Sequence, residues 1–497
     1  MSDTQTDTRT ATDTFDVHNP GNGEVIGTWP VMGAEQVQAA TDAARGAAQW
    51  WSQLSFATRR KRLNAFRAIM ANRTEELGEV VSRETGKPAG DALLEIVLTL
   101  GHIGWVGGNA ERVLGHRRTK GSLMSPHLAG TVEHRPFGVV GVIGPWNFPV
   151  FTPMGAVVSA LAAGNTVVFK PSELTPGVGA WLVDAFAEAV PEHPVLVMVT
   201  GKGETGSALV RSGVDKVAFT GSTATAKKVM AVCAESLTPM VAECGGKDAF
   251  IVDQDADLDA AAEAAAWGGL MNAGQACIGT ERILVHERVY ADFLAKLVTE
   301  VDGVRAGAGG AEKLGPMTLP SQVGVVESHV EDAIDRGGKV VFGGPNADGQ
   351  VVQPTIMIDV PADSLANQEE TFGPTLTVQP VADMDEAVRL ANGTKYGLAA
   401  AVFAKSQAQQ IAGRLRAGMV SVNAVFATAE LPSAPFGGVG DSGFGRVHGE
   451  DGLREFANPR VVVTKRFPAL FALTTFDRTK RTEDILRTVV KVVYGRG

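Results

Sequence analysis

Cysteine is scarce in this chain: Cys233, Cys244 and Cys277 are the only thiols in 497 residues. An odd, sparse set with no C-x-x-C pair builds neither a disulfide framework nor a zinc site, and it points to a reducing, cytoplasmic setting. Positive charge is also short. Lys and Arg number 45 against 55 Asp and Glu, for a net charge of −10. That balance excludes a nucleic-acid binder that works by neutralising phosphates. Long apolar runs are missing as well, and no stretch approaches the roughly 20 uncharged apolar residues a spanning helix needs. The first fourteen residues, MSDTQTDTRTATDT, lack the apolar core of a signal peptide and read as a disordered arm. What remains is an ordinary soluble composition, 44% hydrophobic and 20% charged, in a chain long enough for two or three domains.

Apolar residues at three- and four-residue steps predict helices over AEQVQAATDAARGAAQWW and over RKRLNAFRAIMANRTEELGEVVSRETGK, the second stopped by Gly86 and Pro88. The pattern then changes. VVGVIGP (139–145), NTVVFKP (165–171), VLVMVTG (195–201) and VDKVAFTG (214–221) are short β-branched runs ending in Gly or Pro, separated by helical stretches such as PGVGAWLVDAFAEAV. Such alternation predicts parallel strands with crossover helices. A second alternation follows residue 245, with strands at DAFIVD, RILVHE, VVQPTIMIDV, LTVQPV, AAAVFA and MVSVNA, and an Ala-rich helix at DLDAAAEAAAWGGLMNAG. Segment 119–136 has hairpin character.

Six segments carry candidate chemistry. Cys277 follows a small-residue turn in NAGQACIGTER; a thiol there has the access a nucleophile needs, although a lone cysteine is by default a buried apolar residue. Glu243 precedes two glycines in VAECGGKDAF, a place to hold a carboxylate in a cleft as general base. In GPWNFP, two prolines stiffen the chain around Asn147, whose amide can face a developing oxyanion; the alternative is a turn that packs Trp146 on the core. FKPSE, with Lys170, Ser172 and Glu173, ends a strand, where open α/β sheets bind ribose hydroxyls, or is a surface turn capped by Ser172. FTGST leads a strand into a helix start whose N–H groups attract pyrophosphate. EETFGP pairs carboxylates before a turn. Gly201, Gly203 and Gly206 fit G-x-G-x-x-G, but no acidic residue follows at the expected distance, so they read as an ordinary strand-to-helix turn.

Taken in order, GPWNFP, FKPSE, FTGST, ECGGK, NAGQAC, EETFGP and PFGGVGDSGFGR closely resemble the aldehyde dehydrogenase superfamily, from about residue 15 to 465. The resemblance implies an α/β fold of two doubly wound domains plus a small β oligomerisation hairpin. Residues 1–117 and 137–244 would bind cofactor and 245–441 would be catalytic. Residues 118–136 and 457–466 would form the oligomerisation segment, and 467–497 a C-terminal extension. It also implies roles. Cys277 matches the nucleophile, Glu243 the base that activates water, and Asn147 with the Cys277 backbone N–H the oxyanion hole. Lys170, Ser172 and Glu173 fall at the adenosine ribose, and Gly221, Ser222 and Thr223 at the pyrophosphate. Glu370 matches the nicotinamide-ribose ligand, with Phe372, Trp146 and the Cys244 carbonyl along the same path. Phe148, Gly155 and Phe436 would line the substrate pocket, and no metal is expected.

Two departures stand out: Ala226 replaces a family glycine on the phosphate-turn helix, and Cys244 replaces a common leucine. Glu173 favours NAD, since a carboxylate repels a 2′-phosphate, with NADP as the second option. The loop NAVFATAELPSAP holds no cation and one acid, Glu430. A charged aldehyde such as succinate semialdehyde would lack a partner, so the expected substrate is a neutral apolar or aromatic aldehyde. The alternatives are a succinate-semialdehyde dehydrogenase, a coenzyme-A-acylating relative, which Glu243 argues against, and a non-catalytic binding protein. The expected assembly is a homodimer or homotetramer. The tail, DRTKRTEDILRTVVKVVYGRG, reads as a helix with Ile485, Val489, Val492 and Val493 on one face, docked either on protein or on an anionic membrane.

Overall fold

A computed structural model describes residues 13–121, 125–309, 312–344, 347–469 and 475–495. Most of the arm expected over the first fourteen residues lies outside these, as does part of the FPALFALTTF run. The chain forms two units: Met1–Val113 with Pro136–Ala457, and Leu114–Arg135 with Asn458–Gly497.

The larger unit is α/β and holds two open sheets. The first runs in the order Gly443–Phe444, Met240–Glu243, Lys216–Thr220, Val139–Ile143, Thr166–Lys170, Leu196–Met198. All neighbours are parallel except Gly443–Phe444, which lies antiparallel on Glu243 and Ala242. The TVVFK and VVGVI runs are covered on both faces by helices, which is why they read as unbroken β-branched letters. Val139–Ile143 pairs with Thr166–Lys170 on one side and Lys216–Thr220 on the other. The strand order reverses there. Ile143 sits level with both Lys170 and Phe219, so the segments GPWNFP and GST leave the sheet together at its carboxyl end, where such sheets hold ligands.

The second sheet runs Lys339–Phe342, Thr355–Ile358, Thr375–Val381, Thr280–His286, Asp248–Val252, Ala399–Phe403, Met419–Val422. Only its Lys339–Phe342 edge is antiparallel. Its core includes Phe250 stacked on Phe403, ring centroids 4.8 Å apart, under the Ala-rich helix Leu258–Leu270. Alanines suit that position because they let the helix backbone approach the sheet closely. The expected boundary at residues 244 and 245 falls between Met240–Glu243 and Asp248–Val252, which belong to different sheets of this unit.

Two helix expectations need correction. The helix predicted over residues 60–87 is two, Phe56–Asn72 and Thr74–Thr85, broken at Arg73 (φ −118°, ψ 30°). No proline forces this break. The Arg73 guanidinium bridges Glu76 and Glu188, and the second helix turns to pack on Pro176–Ala189. The second concerns membrane-length helices. Ala89–Leu114, at 26 residues and mean hydropathy 1.3, is long and apolar enough to cross a bilayer by length and composition. Its glycines and histidine interrupt the apolar letters, so it contains no unbroken apolar run of spanning length. In the fold, Ala92, Ile96, Ile103 and Val106 along it are fully buried in the larger unit.

The smaller unit carries a three-stranded sheet in the order Ala457–Lys465, Leu128–Pro136, Arg117–Lys120, with Glu133 paired to Arg460. Val461, Val462 and Val463 are exposed along its edge strand. Thr479 caps the helix Lys480–Tyr494, none of whose residues is buried.

Candidate active site

Two backbone devices deliver Cys277. Asn272, Ala273 and Gly274 take successive left-handed conformations (φ 52°, 54° and 72°), reversing the chain after the Ala-rich helix. Gly274 is required there: a Cβ on it would lie 2.1 Å from the Gly373 carbonyl oxygen. The NAGQAC and TFGP turns thus cross backbone against backbone. Gln275 locks the turn by donating to the Asn272 carbonyl (2.9 Å) and accepting from the Thr318 N–H (2.8 Å).

The Cys277 side chain stands on the wall shared by two cavities. The larger, about 320 Å³, is bounded by Trp146, Asn147, Gly221, Glu243, Glu370 and Phe372 among others. Nucleophile, carboxylate and amide candidates therefore face one space. Asn147, almost fully buried, donates one amide N–H to the Gln275 carbonyl at 2.9 Å. Glu243 ends the strand Met240–Glu243 and lies against Gly437, whose missing Cβ would sit 2.7 Å from its carboxylate. Neither Glu243 oxygen has a hydrogen-bond partner among the described residues. Burial raises its pKa well above the carboxylate range, opposed by the charge of Arg446. Burial and the nearby carboxylates Asp248, Glu370 and Glu243 also push the Cys277 thiol upward, although it is partly open to the cavity. Burial pushes Cys244 up to about 12. Glu370 folds over the Gly245–Gly246 turn, accepts the Gly246 N–H at 2.9 Å, and is raised to about 8 by burial.

The remaining candidates divide into groups. Trp146, Gly221, Ser222, Cys244, Glu370 and Phe372 line the larger cavity, with Trp146 edge-on to Phe372 at 5.5 Å. Ser222 caps the helix Thr223–Ser236 at the cavity, and Thr223 donates to the Asp441 carbonyl at 2.7 Å. Lys170, Ser172 and Glu173 sit beyond that lining, at the end of the neighbouring strand. Lys170 is buried, 3.8 Å from Glu173, and Ser172 accepts the Leu174 N–H at 3.2 Å. Ala226 points its methyl into the sheet core, away from the cavity.

The second cavity, about 40 Å³, is narrow and apolar. Phe148, Phe151, Trp267, Met271, Phe426 and Phe436 form much of its wall, with Glu95 and Glu430 its only charged members. Phe148 and Phe436 are thus where the pocket was expected. Gly155 is not: it faces His448, whose Nε2 would lie 2.8 Å from a Cβ there, so the missing side chain makes room for a buried histidine and does not widen the pocket.

Sequence reasoning gave no role to Lys247, Glu281, Lys87 or Glu95. Buried Glu281 pairs with buried Lys247 and accepts the Thr371 and Phe372 N–H groups at 2.9 and 3.1 Å, holding the EETFGP turn. Two of these four stand inside quoted motifs, ECGGK and NAGQACIGTER, which was the available signal.

Comparison with known proteins agrees with this geometry. Residues 7–462 match the Aldehyde dehydrogenase family. The chain is 37% identical to a 4,4'-diapolycopene aldehyde oxidase of Methylomonas sp over 90% of its own length and 85% of that protein. It is 35% identical to an Escherichia coli succinate-semialdehyde dehydrogenase [NADP(+)], covering 89% of this chain and 92% of the other. The solved structure of an NAD-dependent aldehyde dehydrogenase from Sinorhizobium meliloti superposes with a TM-score of 0.88 at 35% identity, covering 93% of each chain. A sheet that reverses its strand order under a thiol-bearing cavity, and likeness along nine-tenths of the sequence, lead to one conclusion: this chain belongs to the aldehyde dehydrogenase family, NAD(P)-dependent oxidoreductases that act on aldehydes.

Proposed function

We propose that the enzyme oxidises a neutral, apolar or aromatic aldehyde to its carboxylic acid through a thioester on Cys277. The observation that carries the substrate class is the narrow cavity beside Cys277, walled mainly by aromatic and aliphatic side chains, with no Lys or Arg among the described residues that line it. A substrate carboxylate would be desolvated there without a partner, beside Glu430.

The larger cavity fits a nicotinamide dinucleotide. It opens on the capped N-terminus of the 14-residue helix Thr223–Ser236, and Gly221 brings bare backbone to it, since a Cβ would strike the Phe219 ring at 2.7 Å. Gly221, Ser222 and Thr223 would hold pyrophosphate, Lys170, Ser172 and Glu173 the adenosine ribose, and Glu370 the second ribose. Trp146, Cys244 and Phe372 would flank the nicotinamide. Glu173, partly exposed and paired with Lys170, favours NAD over NADP. When bound, the dinucleotide supplies the hydride acceptor that brings a Cys277 adduct to the acyl level.

The chain's own groups do the rest. Once its proton is lost to solvent, the Cys277 thiolate adds to the aldehyde carbon, and the oxygen that gains charge meets the Asn147 amide N–H and the Cys277 backbone N–H. Glu243, unpartnered and buried, accepts a proton from water as the water adds to the thioester carbon. Sulfur then leaves as thiolate and the acid is released. A carboxylate retained at this position fits hydrolysis and not transfer to coenzyme A. The exposed strand Ala457–Lys465 is the surface for homo-oligomerisation into a dimer or tetramer. The helix Lys480–Tyr494, none of whose residues is buried and whose Lys480, Arg487 and Lys491 lie opposite its valine face, fits the surface of an anionic bilayer.

An aldehyde panel tests the proposal. Benzaldehyde and a medium-chain alkanal should be oxidised with higher kcat/KM than succinate semialdehyde, with NAD preferred to NADP, and without stimulation by coenzyme A. Preference for succinate semialdehyde, as in the name of the E. coli relative, would overturn the substrate class. A coenzyme A requirement would overturn hydrolysis. Co-sedimentation of the full chain with anionic liposomes, lost on removing residues 475–497, tests the membrane contact.

A further inference from the structure

The helix Ala89–Leu114 starts directly after Lys87 and Pro88, and Lys87, Asp91 and Glu95 follow at four-residue steps. Two of the three form an ion pair with no side-chain exposure at all: Lys87 Nζ lies 2.8 Å from Glu95 Oε2. Taking both charges out of water is costly, and an apolar pair of similar volume would commonly serve stability as well. The reason for the pair lies in what else it holds.

Lys87 Nζ donates to the main-chain carbonyl of Asn147 at 2.7 Å and stands 4.3 Å above the Phe148 ring. The other Glu95 oxygen accepts the N–H groups of Val150 and Phe151, at 2.7 and 3.0 Å. The chain is therefore clamped at Asn147 itself and just after the GPWNFP turn, at Val150 and Phe151. The clamp extends to the cysteine turn. Asp91 accepts the Asn272 N–H at 3.2 Å, and the Asn272 amide donates to both the Asn147 carbonyl (3.1 Å) and the Gln275 carbonyl (3.2 Å). The Gln275 carbonyl is the same atom that receives the Asn147 side-chain N–H. One helix start thus fixes the amide and the thiol loop relative to each other.

We propose that Lys87, with Glu95, is a positioning residue for the oxyanion donor Asn147, which rests on the role given to Asn147 above. Lys87 does not touch substrate. Its ammonium sets where the Asn147 peptide lies, and so where the free amide N–H points.

A double-mutant cycle tests this. Lys87→Met and Asn147→Ala are made singly and together, and kcat/KM for aldehyde and the Kd for NAD are measured on each. Lys87→Met should lower kcat/KM roughly 10- to 100-fold, the scale of a small misplacement of a catalytic group, with the NAD Kd unchanged. On the Asn147→Ala background the same change should cost less than about twofold, because its target is gone. Equal losses on both backgrounds would show a general structural role and overturn the proposal, as would no loss in the single variant. Unimpaired turnover by Asn147→Ala alone would instead remove the oxyanion role on which the proposal rests. If Lys87→Met does not fold because Glu95 is left unpaired, Lys87→Met/Glu95→Gln removes both charges and must show the same dependence on Asn147.

Discussion

Replacing Asn147 with Ala separates catalysis from folding, and the size of each effect follows from its contacts. The side chain makes one hydrogen bond, to the Gln275 carbonyl. That carbonyl keeps a second donor, the Asn272 amide at 3.2 Å, so its loss leaves no buried acceptor stranded. The main-chain carbonyl of Asn147, which Lys87 and Asn272 hold, is untouched by the substitution. The stability cost should therefore stay near that of one ordinary hydrogen bond, about 1 kcal/mol. The catalytic cost is larger. Asn147 lines the cavity that holds Cys277, and in the proposed role a preorganised oxyanion donor in a dry site is worth about 3–4 kcal/mol, or roughly 10²–10³ in kcat. NAD should bind as before, because the groups proposed to hold it are Lys170, Ser172, Glu173, Gly221, Ser222, Thr223 and Glu370, none of which hydrogen-bonds the Asn147 side chain among the described residues. The assay is steady-state formation of reduced nicotinamide with benzaldehyde, alongside NAD titration by protein fluorescence and a denaturant midpoint. A turnover number within about threefold of the parent, where the donor is worth about 10² or more, would refute the assignment. So would a loss of NAD affinity matching the loss of rate.

Three further outcomes are expected. Because the folded-state pKa of Glu243 is raised, its base form is lost as pH falls through that raised value; the hydrolytic rate should decline at a pH well above an ordinary carboxylate's ~4.3, and Glu243→Gln should abolish that limb in a pH–rate profile. Glu370, raised to about 8, favours the folded state below its unfolded value, and that contribution is lost as pH rises towards about 8. Glu370→Gln should therefore raise the denaturant midpoint above about pH 8 and not near pH 5, and an equal shift at both would exclude the titration as cause. Gly437→Ala, at φ +150° with its new Cβ 2.7 Å from the Glu243 carboxylate, should slow thioester hydrolysis by roughly tenfold or more while sparing acylation. A pre-steady-state burst followed by a slow phase would report this; loss of the burst would show that acylation was hit as well.

The strands were legible because parallel strands covered on both faces must be β-branched almost throughout, as VVGVI and TVVFK are. The cavity was legible because its chemistry sits on contiguous turns at strand ends, so that GPWNFP, FTGST and NAGQAC could each be read in place. What escaped was whatever depends on pairing across the fold. Lys87 and Glu95 look like ordinary residues of a helix start until the Asn147 turn lands on them. Gly155 was expected to line the substrate pocket, but its reason is His448 on a distant segment. Arg73 broke a well-patterned helix because Glu188, far along the chain, takes half its guanidinium.

Cys277 occupies a partition, with a roomy chamber on one face and a greasy slot on the other. With the proposed neutral aldehyde, oxidation would change the guest's character without moving it: an uncharged molecule that suits the slot would become an anion that does not. Glu430 beside it adds repulsion. The slot that welcomes such a reactant would thereby evict its product, and a hydrophobic passage would act as a one-way valve whose direction is set by the reaction itself.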